Sequence, residues 1–527
     1  MRRIAVATLA VVFVAAACGG DHDAAEFAGE VVTVRDNTFS PVTLEIEPGA
    51  TVQWVNEGRN EHDIIPVDKY GEFGVEKEDF APGDTYEFTF DDPGVYEYWC
   101  TLHGTETDGM IGSVIVGDAE ATTDSTAPGE EAGDATTLRV PDDFPTIQAA
   151  HDASTPGGLV LIEPGVYNEA VTVTKRDLVI RGLDRDETIL DGEFTLDNGF
   201  KVLADGVAIE NITAQNYAGN GFFWTGVTGY RGSYLTALRN GDYGIYAFDS
   251  VQGQFDHSYA AGSPDGGYYI GQCDPCNAVI TDVIAEWNGL GYSGTNAGGD
   301  LFIVNSTWRN NRAGIVPNSG TGEALYPQHD AVMIGNIVSS NNNDGTAAID
   351  IAETVLGNGI LLAGGNNNVV ERNLVYDHDI AGIGIIPLPE KILNPDNENA
   401  VNFDARNNVV RANVLRDNRA GDLMLVTTLD DATDAGGNCF ADNDYTTSIP
   451  ATIPVCDAAP AAFETDLAWL VEFLGGAKPE GADYREVVLP DPGEQPEMPD
   501  AATAPARPAN SGVPITIDLD AIEVPTR

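Results

Sequence analysis

Glycine returns at a fixed interval through the middle of this 527-residue chain: Gly221, Gly244, Gly267, Gly291 and Gly314 are separated by 23, 23, 24 and 23 residues. Counting on through Gly345, Gly382 and Gly421 gives steps of 31, 37 and 39. A period of this length admits few folds, because each repeat is one supersecondary unit that buries its apolar side only against the next. The phrases between the glycines, such as Leu301-Phe-Ile-Val304 and Asn368-Val-Val370, are short and β-rich. They lack helical periodicity, which argues for stacked coils of strands and against helical or leucine-rich repeats. Asn305, Asn336 and Asn373 each stand nine residues before their glycine, and Asn413 stands eight before. Asn311, Asn342, Asp379 and Asn418 stand three before. Asparagine recurring at one place in the coil predicts ladders of side chains in the turns. The steps beyond 23 place insertions at 317–330, 346–358 and 387–405, all after the glycine strand, so they are expected to stack as one wall.

The repeat is preceded by Val140-Pro-Asp-Asp-Phe-Pro-Thr-Ile-Gln-Ala-Ala150 and Val160-Leu-Ile-Glu-Pro-Gly-Val-Tyr-Asn-Glu-Ala170. This text resembles the opening of pectinesterase-like and copper-maturation proteins of the right-handed parallel β-helix family. The resemblance implies a solenoid over 137–457, with a short helix at Thr146–Ala153 capping the open end of its core. That fold hosts lyases, epimerases, hydrolases and proteins without known chemistry, so it does not choose an activity. The insertion wall brings His329, Asp330, Asp350, Glu353 and Asp404 together as candidate ligand-binding residues, beside Glu323, Glu390 and Asp396. His378, between Asp377 and Asp379, is a further candidate, although it aligns with Asn310, Asn341 and Asp417 and so equally fits a turn role. Trp224, Trp287 and Trp308 would stack on sugar rings if they pointed outward. No dedicated catalytic set emerges, and the reading leans away from an enzyme.

Ahead of the solenoid, Gly117 to Thr137 contains no Val, Ile, Leu, aromatic, Lys or Arg but six acidic residues. Such a segment cannot bury enough surface to order itself, so residues 118–136 are expected to be a disordered acidic linker. Between 28 and 117, short strand phrases alternate with Pro48-Gly49, Pro82-Gly83 and Pro93-Gly94, which predicts a small β-sandwich. Cys100, His103 and Met110 lie in one turn before the last strand, and His62 lies in a separate loop. Loops at one end of a sandwich converge, so all four can meet. Two imidazoles and a thiolate form a trigonal donor set that favours copper, with a thioether as the weak axial ligand.

Val52-Gln-Trp-Val-Asn56, His62-Asp-Ile64, Pro93-Gly-Val-Tyr-Glu-Tyr-Trp-Cys100, His103 and Gly109-Met-Ile-Gly112 together resemble a cupredoxin of the plastocyanin and pseudoazurin type. The resemblance implies one type 1 copper and one-electron transfer, with His62, Cys100 and His103 as equatorial ligands and Met110 axial. Six residues separate His103 from Met110, a longer loop than the plastocyanin spacing.

The chain opens Met1-Arg2-Arg3, runs apolar from Ile4 to Ala17 and ends that run in Ala15-Ala16-Ala17-Cys18-Gly19-Gly20. This reads as a secretory signal. It resembles the lipobox of bacterial lipoproteins, in which the cysteine, here Cys18, is acylated, so residues 1–18 are expected to be removed up to a lipidated Cys18. Ordinary cleavage near Cys18 is the alternative, and a lipid would then be absent. Six cysteines suit an oxidising compartment. Cys439 and Cys456 read as a disulfide. Cys273-Asp274-Pro275-Cys276 reads as a local loop disulfide, with a redox motif or half a zinc site as alternatives. Past residue 458, Phe463, Leu467, Leu470, Val471 and Leu474 predict one amphipathic helix, and the prolines from Pro490 to Pro508 predict an extended, mobile tail.

Lys and Arg total 26 against 83 Asp and Glu, a net charge of -57. Nothing here could neutralise a nucleic-acid backbone, and an anionic membrane surface would repel the chain, leaving a lipid anchor as its only membrane attachment. The acidity reads as a solvated surface or as a preference for cationic partners, and oxygen-rich insertion loops would also suit calcium. The expectation is therefore an all-β, exported, surface-tethered or secreted blue-copper protein. Its cupredoxin β-sandwich would precede a right-handed parallel β-helix that binds carbohydrate or a protein partner, beside a redox partner not named by the sequence. The alternatives are a polysaccharide-active β-helix enzyme with an accessory cupredoxin, and a copper-delivery protein.

Overall fold

The computed structural model describes residues 29–35, 38–58, 61–67, 73–106, 109–117, 136–393, 399–426, 428–429, 431, 433–458, 467–509 and 517–526. The signal segment with Cys18, all of the linker but Thr136, and Asp396 and Phe463 lie outside these residues.

The N-terminal unit contains β1 (Glu30–Arg35), β2 (Thr38–Ser40), β3 (Thr43–Ile46), β4 (Ala50–Asn56), β5 (Ile65–Pro66), β6 (Thr85–Phe90), β7 (Gly94–Gly104) and β8 (Gly109–Val116). They form two four-stranded sheets, β2-β1-β4-β6 and β3-β8-β7-β5. Alternation of apolar and polar residues builds the sandwich directly: Val52, Trp54 and Asn56 of β4 and Met110, Val114 and Val116 of β8 are buried while their neighbours are more exposed. Trp54, Phe73, Phe90 and Tyr98 meet edge to face or tilted in the middle of this core.

From Thr137 the chain winds into a parallel β-helix with sheets of 12, 10 and 11 strands. The inward side chains stack in register. On the first sheet Phe255, Ile280, Ile303, Met333, Val370, Val410 and Phe440 follow one another coil by coil. Trp224 and Trp308 also point into this core and are fully buried, so they do not offer sugar-stacking faces. The short helix α1 (Ile147–Ala153), capped by the Thr146 side chain, sits at the open N-terminal end with Ile147 and Ala150 in the core.

The glycine period has a steric cause. A Cβ at Gly244 would lie 2.8 Å from the Gly267 carbonyl oxygen, one at Gly291 2.6 Å from that of Gly314, and one at Gly314 2.4 Å from that of Gly359. Each coil thus rests its carbonyl against the α-carbon of the coil below, and only glycine fits. The glycine after Gly314 in this stack is Gly359, not Gly345, because Ala313 pairs with Asn358. Gly345 belongs to an insertion. The three insertions do meet on one side, with Gly320 and Glu323, Asp350 and Thr354, and Leu388 and Glu390 lining one cavity, but they do not all follow the glycine strand. The segments before His329 and after Ile386 follow third-sheet strands, whereas the one containing α2 (Ile351–Thr354) precedes the third-sheet strand Asn358–Ala363.

Three ladders run through the turns. Asn336, Asn373, Asn413 and Asn443 are linked Nδ2 to Oδ1 at 2.9–3.0 Å. Asn368, Asn408 and Asn438 form a second ladder, and Asn288, Asn311, Asn341, His378 and Asn418 a third. Two sequence alignments shift by one residue. Ser306, not the exposed Asn305, stands above Asn336. Asn341 and His378, not Asn342 and Asp379, continue from Asn311.

Beyond α3 (Glu390–Leu393), α4 (Leu467–Gly475) lays Leu470, Phe473 and Leu474 with α2 over the outer face of the third sheet, against Leu290, Leu361 and Met424. The Pro-rich tail departs from its expected mobility, for it is strapped along the solenoid. Its carbonyls accept from arginines of the coils: Arg312 bonds Pro479, Arg185 bonds Pro496, Arg181 bonds Ala501, Ala504 and Pro505, and Arg372 bonds Leu519. Prolines lack an N–H donor but keep their carbonyls, and guanidinium groups of the coils use those acceptors.

Candidate metal centre

Strand β7 delivers two of the predicted donors and β8 a third. Cys100 and His103 are on β7, and Met110 is the second residue of β8. The two strands are paired antiparallel down to Gly104 and Gly109. Gly109 has φ +82°, and a Cβ there would lie 2.5 Å from the His103 carbonyl oxygen, so only glycine returns the chain to β8 at this point. His62 arrives from the segment before β5, where its N–H donates to the Phe80 carbonyl. Asn56 ties this region together by donating through Nδ2 to the same carbonyl at 3.0 Å and accepting from Gly58 N–H.

The donors converge. Cys100 Sγ lies 3.6 Å from His62 Nδ1 and 3.5 Å from His103 Nδ1. Among the described residues this is the one grouping of three or more His, Cys, Asp or Glu whose ligand atoms all fall within 4.8 Å of one another. Donors about 2.0–2.3 Å from a common ion leave separations of this order in a trigonal plane. One thiolate and two imidazoles match copper in softness and number, so the residues fit the implied group. Cys100 and His62 are fully buried, Met110 is buried in the same core as Cys100, and His103 is half-buried. Burial, followed by the negative charge of Asp63, pushes the metal-free Cys100 thiol up to about 12. The sulfur is thus a protonated thiol until a cation displaces the proton.

Asp63 is a site residue that the sequence reading passed over. Its carboxylate accepts from Thr101 N–H at 2.7 Å and from Thr101 Oγ1 at 2.5 Å. One residue beside His62 thereby clamps the residue beside Cys100, fixing the two ligand segments against each other. Only its adjacency to His62 signalled it.

The second unit reaches this centre. Lys201 Nζ donates to the carbonyls of Thr101, Leu102 and Gly104 at 3.1, 3.2 and 3.1 Å. Asn399 Nδ2 donates to Glu57 Oε1 at 2.8 Å. A cavity of about 430 Å³ lies where Leu102 and His103 face Asp197, Phe223 and Tyr246 of the solenoid. Its floor is an aromatic cluster in which Tyr246 packs on Phe223, Tyr243 and Tyr269.

Of the solenoid's candidate residues, Glu323, Asp350 and Glu390 line one cavity of about 340 Å³, walled by all three insertions and by Glu57 and Gly58 of the first unit, and the other candidates do not line it. His378 is buried in an asparagine ladder, donating from Nδ1 to Asn418 Oδ1 at 2.8 Å and accepting at Nε2 from Asn341, so it stands in for an asparagine and offers no surface for a ligand. His329 bonds Asp330 at 2.7 Å. Asp350 and Glu353 are exposed at α2. Asp404 accepts from Leu429 N–H and pairs with Arg406. Glu323 is buried and accepts from Tyr269 Oη. Cys273 is bonded to Cys276, and Cys439 to Cys456.

Fold and donor set together define a cupredoxin joined to a parallel β-helix. Residues 30–117 match the family of copper binding proteins of the plastocyanin/azurin type, and residues 220–387 match the right handed beta helix region. Plastocyanin from Scenedesmus fuscus is 35% identical over 86 residues, covering 15% of this chain and 85% of that protein. Halocyanin from Natronomonas pharaonis is 36% identical over 91 residues, or 16% of this chain and 54% of the relative. Chloroplastic plastocyanin from Tetradesmus obliquus is 35% identical over 85 residues, or 15% and 57%. The chain thus spans little more than half the length of the latter two. Among solved structures, the A-module of Azotobacter vinelandii mannuronan C-5 epimerase AlgE4 aligns with a TM-score of 0.43 at 14% identity, over 61% of this chain and 95% of that one. Through its N-terminal domain the chain belongs to the plastocyanin/azurin family of copper-binding proteins, and a right-handed β-helix follows.

Proposed function

We propose that this is an exported one-electron carrier whose type 1 copper is held by His62, Cys100, His103 and Met110, and whose β-helix is a platform for a carbohydrate or protein partner. The observation that carries the reading is the buried Cys100 thiol set between two imidazole Nδ1 atoms. Copper bound there supplies electrons one at a time by cycling between Cu(II) and Cu(I). The chain's own residues make that cycling fast by not moving. Asp63 and Asn56 hold the ligand segments, and the sandwich core excludes water from Cys100. His103 is the less buried imidazole and the route by which an electron enters or leaves.

Two disulfides support export, since such bonds persist in oxidising compartments. The reading further includes tethering through acylated Cys18. The platform role rests on the length of the solenoid and on the partly exposed Arg309, Tyr376 and Arg416 of its second sheet.

Reversible cycling tests the reading. A copper-loaded chain is expected to bleach with one equivalent of ascorbate-derived electrons and to recover its colour fully with hexacyanoferrate(III), over repeated cycles without loss of metal. Release of copper on the first reduction would sink electron carriage and favour copper delivery.

A further inference from the structure

The copper-ligand loop is not held by its own domain alone. Lys201 stands on the third-sheet strand Phe200–Val202 of the β-helix, yet its ammonium group is spent on the segment that begins at Cys100 and ends just past His103. Three carbonyls receive bonds of 3.1–3.2 Å from one nitrogen. A neutral amine carries two protons and cannot serve three acceptors; an ammonium carries three and serves them all. Three acceptors around one nitrogen therefore favour the ammonium form against the lowering effect of burial, and the nearby Asp197 carboxylate supports it. The neighbouring contacts keep the group in place: Leu203 lies against the Gly109 turn that leads to Met110, and Asn399 bonds Glu57 at a second point of docking.

We propose that Lys201 is a positioning residue of the copper centre, supplied by the β-helix: it latches the ligand loop onto the solenoid and biases the bound copper towards Cu(I). This rests on the electron-carrier reading above. Reduction removes one positive charge from the centre, so a fixed cation beside the loop stabilises the reduced state relative to the oxidised one. Half-buried between two domains, the cation is less screened than one in open solvent, although the neighbouring Asp197 carboxylate offsets part of its charge. The latch also decides what meets His103. Its half-buried edge opens into the cavity walled by Phe223 and Tyr246, so the solenoid forms part of the path into the copper centre. The two domains then act as one redox device, and undocking lowers the reduction potential.

The test uses the full chain with Lys201→Met, Lys201→Gln and Lys201→Arg. In the copper-loaded protein, poised against a one-electron reference couple, Lys201→Met and Lys201→Gln are expected to shift the Cu(II)/Cu(I) ratio about fivefold towards Cu(II). That is about 40 mV at 59 mV per tenfold. The blue band is expected to persist, and Lys201→Arg is expected to restore most of the ratio. In the metal-free protein, hydrogen exchange over residues 101–106 is expected to run at least tenfold faster in Lys201→Met than in the parent. An unchanged ratio in both uncharged variants overturns the proposal. A parent chain without a blue band removes the electron-carrier reading instead. The metal-free exchange then judges the latch by itself, and equal rates in parent and variant overturn it.

Discussion

Replacing Asn373 by Leu is expected to destabilise the solenoid by about 3–5 kcal/mol, although Leu is of similar size and the position is fully buried. Asn373 Oδ1 accepts from the backbone N–H and the Nδ2 of Asn336, and its Nδ2 donates to Met333 O and Asn413 Oδ1, all at 2.9–3.0 Å. Leucine can do none of this. The buried Asn336 N–H then has neither protein nor solvent to bond, which costs about 1–3 kcal/mol by itself, and the remaining bonds are lost from a chain of mutually polarised amides. The matching control is Asn305→Gly, expected to change stability by less than about 0.5 kcal/mol. Asn305 is exposed and sits at φ 50°, a conformation glycine adopts freely. Denaturant titration of both variants measures the difference; equal midpoints would mean that the ladder is not what holds the coils.

Acid is expected to weaken the fold through His378. Burial holds its imidazole down at about 4, against a usual value of 6.5, while its bond to Asn418 and the nearby Asp377 and Asp379 oppose that shift. The folded pKa lies below the unfolded one. Above pH 6.5 the group is neutral in both states and its contribution is fully present. As pH falls from 6.5 to 4 the unfolded chain takes up a proton that the folded chain refuses, and stability is lost. Over that window the loss reaches about 3 kcal/mol at 1.36 kcal/mol per unit. His378→Asn keeps the ladder position and removes the titration. Stability measured at pH 7 and pH 4.5 is expected to fall less in this variant than in the parent. An equal fall would place the acid sensitivity elsewhere.

The candidate copper ligands were legible in the sequence because three of them lie close together on the β7–β8 pair and the fourth follows a recognisable strand. Their distances depend mostly on β7 and β8, whose alternation is plain. Asp63 was not legible, since a carboxylate beside a histidine has no distinguishing pattern until Thr101 is seen to face it. In the solenoid the interval of 23 was read correctly as coils, and its cause proved to be carbonyl contact at the glycine corner. Counting failed where an insertion carried a glycine of its own, so Gly345 displaced Gly359. A shift of one residue likewise put Asn305 and Asn342 where Ser306 and Asn341 stand, because turns of unequal length break a frame counted from glycine. The tail was misread for a different reason. Proline content predicts an extended chain correctly, but whether it is held depends on buried Arg181 and Arg185, which lie some 300 positions earlier in the sequence. Lys201 belongs to the same class: no pattern around it signals a partner in another domain.

The central claim is a type 1 copper on His62, Cys100 and His103, and adding Cu(II) to the metal-free chain while recording visible and paramagnetic resonance spectra tests it most directly. One equivalent is expected to bind with an intense blue thiolate-to-copper band and a narrow copper hyperfine splitting, both lost in Cys100→Ser. A pale, broadly split copper signal that is the same in the parent and in Cys100→Ser would contradict the account.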